Sequence, residues 1–194
     1  MTIDSFSTIR VLLLEDSPQA AELITQALEQ SDPRYQVLRV ERESTFREAL
    51  AESEPDVVLS DHTVADFNAL DAQRLTRSRY PAVPFLVASG SFEQTAADCL
   101  KAGAAEFIRK EDLARLGPAI VSALELRIPL RKLTQRQSQV LRLLALGSST
   151  REIAQELKVS IKTVETHRAE VMKRLGLRDL ASLVRYAIRT GIAP

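Results

Sequence analysis

Only one of the 194 residues is a cysteine, Cys99, so no disulfide can close within the chain and no Cys-rich metal site can be built. Cys99 lies in a helical apolar pattern, which assigns it to packing rather than redox chemistry. A reducing, cytoplasmic address is the expectation that follows. Long apolar runs are also missing. None approaches the roughly 18–20 residues that cross a bilayer, and the opening MTIDSFSTIR has neither the basic start nor the apolar stretch of a secretory signal. No membrane partner is expected. Repeats and low-complexity tracts are absent, as is a glycine-rich nucleotide loop, which argues against an enzyme that moves phosphate between outside substrates. Histidine is nearly absent. His62 and His167 stand alone, with no second ligand at metal spacing, and are read as an exposed loop residue and a packing or phosphate contact.

What the chain does have is an ordinary globular composition, 45% hydrophobic and 27% charged, at a length that suits two domains. Its net charge of zero conceals a split. Residues 1–126 carry 12 Lys and Arg against 21 Asp and Glu, a net of −9. Residues 134–194 carry 11 against 5, a net of +6. An acidic half followed by a basic one suggests two tasks, with nucleic acid the natural partner of the second.

The acidic part alternates apolar runs (Val11–Leu14, Val37–Val40, Val57–Leu59, Phe85–Ala88, Glu106–Ile108) with amphipathic stretches. The clearest of these places Ala20, Leu23, Ile24 and Leu28 on one helical face. Five strand–helix units in this order predict an α/β fold, a doubly wound five-stranded parallel sheet over residues 8–126. Residues 127–133, stiffened by Pro129, form a linker, and residues 134–194 an all-α domain. There the punctuation is legible: capping boxes at Thr134/Gln137 and Ser149/Glu152, an N-cap at Ser160, and glycines Gly147 and Gly176 at helix ends.

In a sheet of this kind the functional edge lies beyond the carboxyl ends of the strands. Those ends deliver Glu15 and Asp16, Asp61, Ser89 and Lys110. Three crowded carboxylates repel one another unless a cation sits between them, and an oxygen-only donor set suits Mg²⁺. With that charge neutralised, a carboxylate can attack phosphorus while Lys110 and the Ser89 hydroxyl hold phosphoryl oxygens. The segments VLLLEDSP, PDVVLSDHTVADFNAL, PFLVASG and KAGAAEFIRKEDLARL resemble the successive signatures of the flavodoxin-like receiver domain of two-component response regulators. The resemblance implies that Asp61 is the phosphoacceptor and that Glu15, Asp16, Asp61 and the Thr63 carbonyl form the Mg²⁺ site. It makes Ser89 and Lys110 the switch hydroxyl and the lysine of the family, and Phe107 the aromatic that swings on activation. The loop after Asp61 departs from the family pattern, with Ala65 for the usual proline and Asn68-Ala69 for Asp-Gly, so altered loop dynamics are expected.

In the basic part, a tight turn at Lys158-Val159-Ser160 between two short helices makes a helix-turn-helix. On its second helix, Val164, Val171 and Leu175 face inward, with Arg168 at the margin of the stripe. Lys162, Thr163, Glu165, Thr166, Ala169 and Lys173 point elsewhere, the basic and hydroxyl groups suited to phosphates. Residues 133–192 resemble the effector domain of LuxR/FixJ (NarL) class regulators, which adds His167 and Arg168 to the DNA-binding set. The resemblance implies a transcription regulator, not an enzyme, with a sensor histidine kinase and double-stranded promoter DNA as partners and a homodimer as the active form. The alternative is a phosphorylation-independent DNA-binding regulator whose receiver is a constitutive dimerisation or ligand-binding module.

Overall fold

Each apolar run of the acidic part becomes a strand, and each amphipathic stretch a helix laid against the sheet. The computed structural model describes residues 8–193 except 33, 66, 91 and 92, and only the backbone of residues 93–95, 128, 131 and 189. In chain order the elements are β1 (Ile9–Leu14), α1 (Pro18–Ser31), β2 (Tyr35–Val40), α2 (Glu43–Glu52), β3 (Val57–Ser60), β4 (Thr63–Val64), β5 (Phe67–Asn68), α3 (Ala69–Arg79), β6 (Phe85–Ser89), α4 (Glu93–Lys101), β7 (Glu106–Arg109) and α5 (Leu116–Arg127). Helices α6 (Gln135–Ala145), α7 (Thr150–Glu156), α8 (Ile161–Leu175) and α9 (Leu180–Arg189) follow.

The parallel sheet runs β2-β1-β3-β6-β7, the strand order of a doubly wound fold, so that β1 and β3 meet at its switch point. Strands β3 and β6 are buried at every residue and β1 at all but one, because helices cover both faces; continuous apolar runs are the sequence signature of that burial. The edge strand β2 is half exposed, which explains why its apolar run is interrupted. One core cluster packs α1 and α5 against the sheet, and the other packs α2, α3 and α4 against the opposite face. Cys99 lies fully buried in the second.

One local expectation needs correction. On α1 the buried face is Ala21, Ile24 and Leu28, whereas Leu23 is 59% exposed. Leu23 sits about 100° round the helix from Ile24, off the stripe that meets the sheet. The loop after Asp61 forms an antiparallel hairpin, with Thr63 opposite Asn68 and Val64 opposite Phe67. At its tip Ala65 takes φ +51°.

Residues Ile128–Lys132, expected to form a linker, wind into a 3₁₀ turn whose Leu130 is buried in the helical core. Both capping boxes form, Ser160 caps α8, and Gly147 and Gly176 have φ +87° and +68°. Among the described residues, no helix is long and apolar enough to cross a membrane.

Candidate functional site

The carboxyl edge of the sheet is held in register by its own backbone. Glu15 N–H donates to the Val40 carbonyl at 3.0 Å and Asp61 N–H to the Leu14 carbonyl at 2.9 Å, so the chain leaves β1 and β3 side by side. Arg39, at the end of β2, donates to the carbonyls of Glu15 at 3.0 Å and Asp16 at 2.8 Å. This clamp is absent from the sequence reading; only the adjacency of β2 and β1 brings Arg39 to the acidic pair.

The Lys110 ammonium, delivered where β7 ends, lies 2.6 Å from Glu15 Oε2 and 2.7 Å from Asp61 Oδ2. Glu15 is fully buried, and its other oxygen accepts from Ser17 N–H at 3.1 Å. Burial works to lower the Lys110 pKa, but its hydrogen bonds to Asp61 and Glu15 and the charges of those carboxylates outweigh it, and the net shift is upward. The cation between two of the three carboxylates is thus the chain's own lysine. Asp16 lies apart on the exposed side, where its Oδ2 accepts from the N–H of Ala65 at 3.2 Å.

Each of the three carboxylates has a partner within the chain: Glu15 pairs with Lys110 and Ser17 N–H, Asp61 with Lys110 and the backbone N–H of His62, and Asp16 with Ala65 N–H. Among the described residues, no group of three or more His, Cys, Asp or Glu side chains is gathered around a metal position. An oxygen-only set of carboxylates and a backbone carbonyl nevertheless suits Mg²⁺, which keeps several waters.

Ser89 closes β6, buried and in register beside Arg109. A Cβ on the following Gly90 would meet nothing within 4 Å among the described residues. Phe107 is half-buried against the second core cluster. Thr63 is exposed in the hairpin. His62, expected to be exposed, is half-buried. Its backbone N–H donates to Asp61 Oδ1 at 2.6 Å, and its Nδ1 is enclosed with no hydrogen-bond partner among the described residues.

The second candidate surface is α8. Val164 and Val171 anchor it in the core, while Lys162, Glu165, Thr166, Arg168, Ala169 and Lys173 are exposed and Thr163 and His167 half-buried. The Thr163 hydroxyl pairs with Ser160 Oγ at 2.8 Å and that of Thr166 donates to the Lys162 carbonyl at 3.0 Å. Both hydroxyls are therefore used by the helix itself. Arg174 donates to the Lys132 carbonyl and joins α8 to the segment that follows α5.

Comparison with known proteins agrees with this two-part organisation. Residues 11–120 match the family model for the response regulator receiver domain, and residues 131–187 that for the luxR family of bacterial regulatory proteins. The transcriptional regulatory protein FixJ of Rhizobium meliloti is 30% identical, with 71% of this chain and 76% of FixJ covered. The transcriptional regulatory protein MctR of Rhizobium johnstonii is 29% identical over 95% of each. Full-length FixJ from B. japonicum superposes with a TM-score of 0.53 at 24% identity, covering 96% of this chain and 98% of that one. A structure of two RcsB dimers bound to two parallel DNAs does so with 0.54 at 21%, covering 92% and 98%; these two likenesses concern the fold. The chain belongs to the response regulators that join a receiver domain to a luxR-type DNA-binding domain and regulate transcription.

Proposed function

We propose that regulation by this chain depends on phosphorylation, with Asp61 accepting a phosphoryl group from a sensor histidine kinase. A carboxylate oxygen of Asp61 attacks phosphorus and the P–N bond to the kinase imidazole breaks. The imidazole nitrogen keeps the electron pair and takes up a proton. The observation that carries this reading is the Lys110 ammonium, 2.7 Å from Asp61 Oδ2 and shared with the buried Glu15. A carboxylate paired in this way is oriented, and the same ammonium can follow the charge onto a phosphoryl oxygen. Mg²⁺ held by Glu15, Asp16, Asp61 and the Thr63 carbonyl would supply further positive charge against the phosphoryl oxygens.

The Ser89 hydroxyl takes another phosphoryl oxygen, and Phe107, half-buried three residues before Lys110, follows the rearrangement. The unit over residues 8–126 thereby controls that over 134–194, through the segment 127–133. The modified form pairs as a homodimer and presents two α8 helices to half-sites of duplex DNA.

The test treats the full chain with Mg²⁺ and a small phosphodonor, followed by intact mass. One added phosphoryl group is expected on the wild type and none on Asp61→Asn. Sedimentation with beryllofluoride, a phosphoryl mimic, should show a dimer for the wild type alone. One contact favours the alternative of a phosphorylation-independent module: Asp16 Oδ2 is tied to Ala65 N–H in the atypical hairpin. If the folded wild type takes neither phosphoryl group nor mimic, that alternative replaces this reading.

A further inference from the structure

Away from the acidic pocket, two arginines stand at the seam between the receiver and the helical domain. Arg77 on α3 donates through Nη1 to the Gly191 carbonyl at 2.7 Å and to the Ala102 carbonyl at 3.2 Å. Gly191 lies just past the end of α9, 114 residues along the chain from Arg77. Ala102 belongs to the turn between α4 and β7, where Gln73 also donates to its carbonyl at 3.0 Å. Arg127, buried at the end of α5, donates to the Val83 carbonyl at 2.7 Å. The Tyr186 hydroxyl on α9 donates to the Leu126 carbonyl at 2.8 Å.

Between these bonds the two backbones touch. Gly103 and Gly191 have φ +98° and +70°, and a Cβ on Gly191 would lie 2.6 Å from the Gly103 carbonyl oxygen. Only residues without side chains, free to adopt positive φ, allow this approach. Thr190, Ile192 and Ala193 are buried beside it, and Ala82 of the receiver packs against the helical core. Desolvation lowers the pKa of both arginines, with the nearby charge of Arg142 adding to the effect at Arg77. Two cations are thus held in a shared seam by backbone carbonyls. The outer face of α8 lies elsewhere, and its Lys162, Glu165, Arg168 and Lys173 are exposed.

We propose that Arg77 and the Gly103–Gly191 contact form an interdomain latch that grips the end of α9 and leaves the α8 recognition surface open to duplex DNA. The latch fixes the orientation of the two domains; it does not mask the nucleic-acid face. This inference stands on the seam alone and does not require that Asp61 be phosphorylated.

Amide hydrogen exchange on the unphosphorylated full chain tests the grip. Arg77→Ala should speed exchange at residues 187–193 and in the 102–105 turn by at least about tenfold. Arg74→Ala, an exposed neighbour on the same helix paired with Asp71, should leave both segments unchanged. Gly191→Ala, forced against the Gly103 carbonyl, should open the 102–105 turn without touching α3, which separates release from unfolding of that helix. Affinity for a mixed-sequence duplex, read by fluorescence anisotropy at low salt, should agree between wild type and Arg77→Ala within about threefold. Unchanged exchange in both Arg77→Ala and Gly191→Ala would remove the latch. DNA binding tightened about tenfold or more on release would overturn the open face, since the docked form would then be masking α8.

Discussion

At the residue scale the pocket turns on Lys110, which stands between the fully buried carboxylate of Glu15 and that of Asp61. Taking the lysine away leaves Glu15 buried beside Asp61 with no cation between them. Because the lysine side chain is itself 23% exposed, the loss is less than for an entirely enclosed pair. Lys110→Met should cost roughly 2–3 kcal/mol in urea unfolding at pH 7. Adding Glu15→Gln to Lys110→Met should recover part of that loss, and simple additivity of the two changes would disprove the bridge. The pH dependence has a definite sign. The folded-state pKa of Lys110 lies above its ordinary 10.5, so the folded chain keeps this proton after the unfolded chain has lost it. The bridge therefore contributes fully from neutral pH up to 10.5 and fades as pH rises through the folded value. Unfolding midpoints of wild type and Lys110→Met should converge above that value and stay parallel between neutral pH and 10.5. Glu15, Asp61 and Lys110 could be found in the sequence because each follows an apolar run whose end marks the sheet edge. The bridge that Lys110 makes between Glu15 and Asp61 could not, since it depends on side-chain reach. Arg39 was hidden for a related reason: its partners are backbone carbonyls on a neighbouring strand.

At the element scale, periodicity and capping chemistry carry most of the information. The start of α8 is written in Ser160, whose hydroxyl accepts from Thr163 N–H at 3.0 Å. Ser160→Ala should lower stability by about 1 kcal/mol. The turn before it holds a feature that the sequence does not announce. Lys158 takes φ +53°, a left-handed backbone that costs an L side chain roughly 1 kcal/mol. Lys158→Gly should relieve that strain, offset in part by the greater freedom of glycine in the unfolded chain, for a net gain of about 0.5 kcal/mol in thermal or urea unfolding. An unchanged or lowered midpoint would show that the lysine is held there by favourable contacts. Ala65 has the same conformation in the β4–β5 hairpin. A two-residue strand has too few positions to show alternation, so the hairpin could not be read in advance. Leu23 failed for a different reason: α1 carries more apolar residues than one face can bury, and the sheet decides which stripe is covered.

Across the whole molecule, charge is divided much as the tasks are. The receiver is acidic and the segment from residue 134 onward basic, so duplex DNA is repelled by one part and drawn to the other. If Lys162 and Lys173 meet phosphates, each bound contact releases condensed counterions, and the log of the binding constant falls linearly with the log of salt concentration. Lys162→Ala should then make that slope shallower by about 0.9 and weaken binding almost equally on every sequence. Glu165 is exposed on the same helix but carries the wrong sign to meet a phosphate, so its role would be to accept from a base edge or to exclude one. Glu165→Ala should leave the slope in place and change the ranking of duplex sequences. Anisotropy titrations across a salt series, on a mixed-sequence duplex and on a selected one, separate the two effects. A slope that does not move in Lys162→Ala would take the phosphates away from the start of α8, and the basic charge of the domain would have to act through another of its faces.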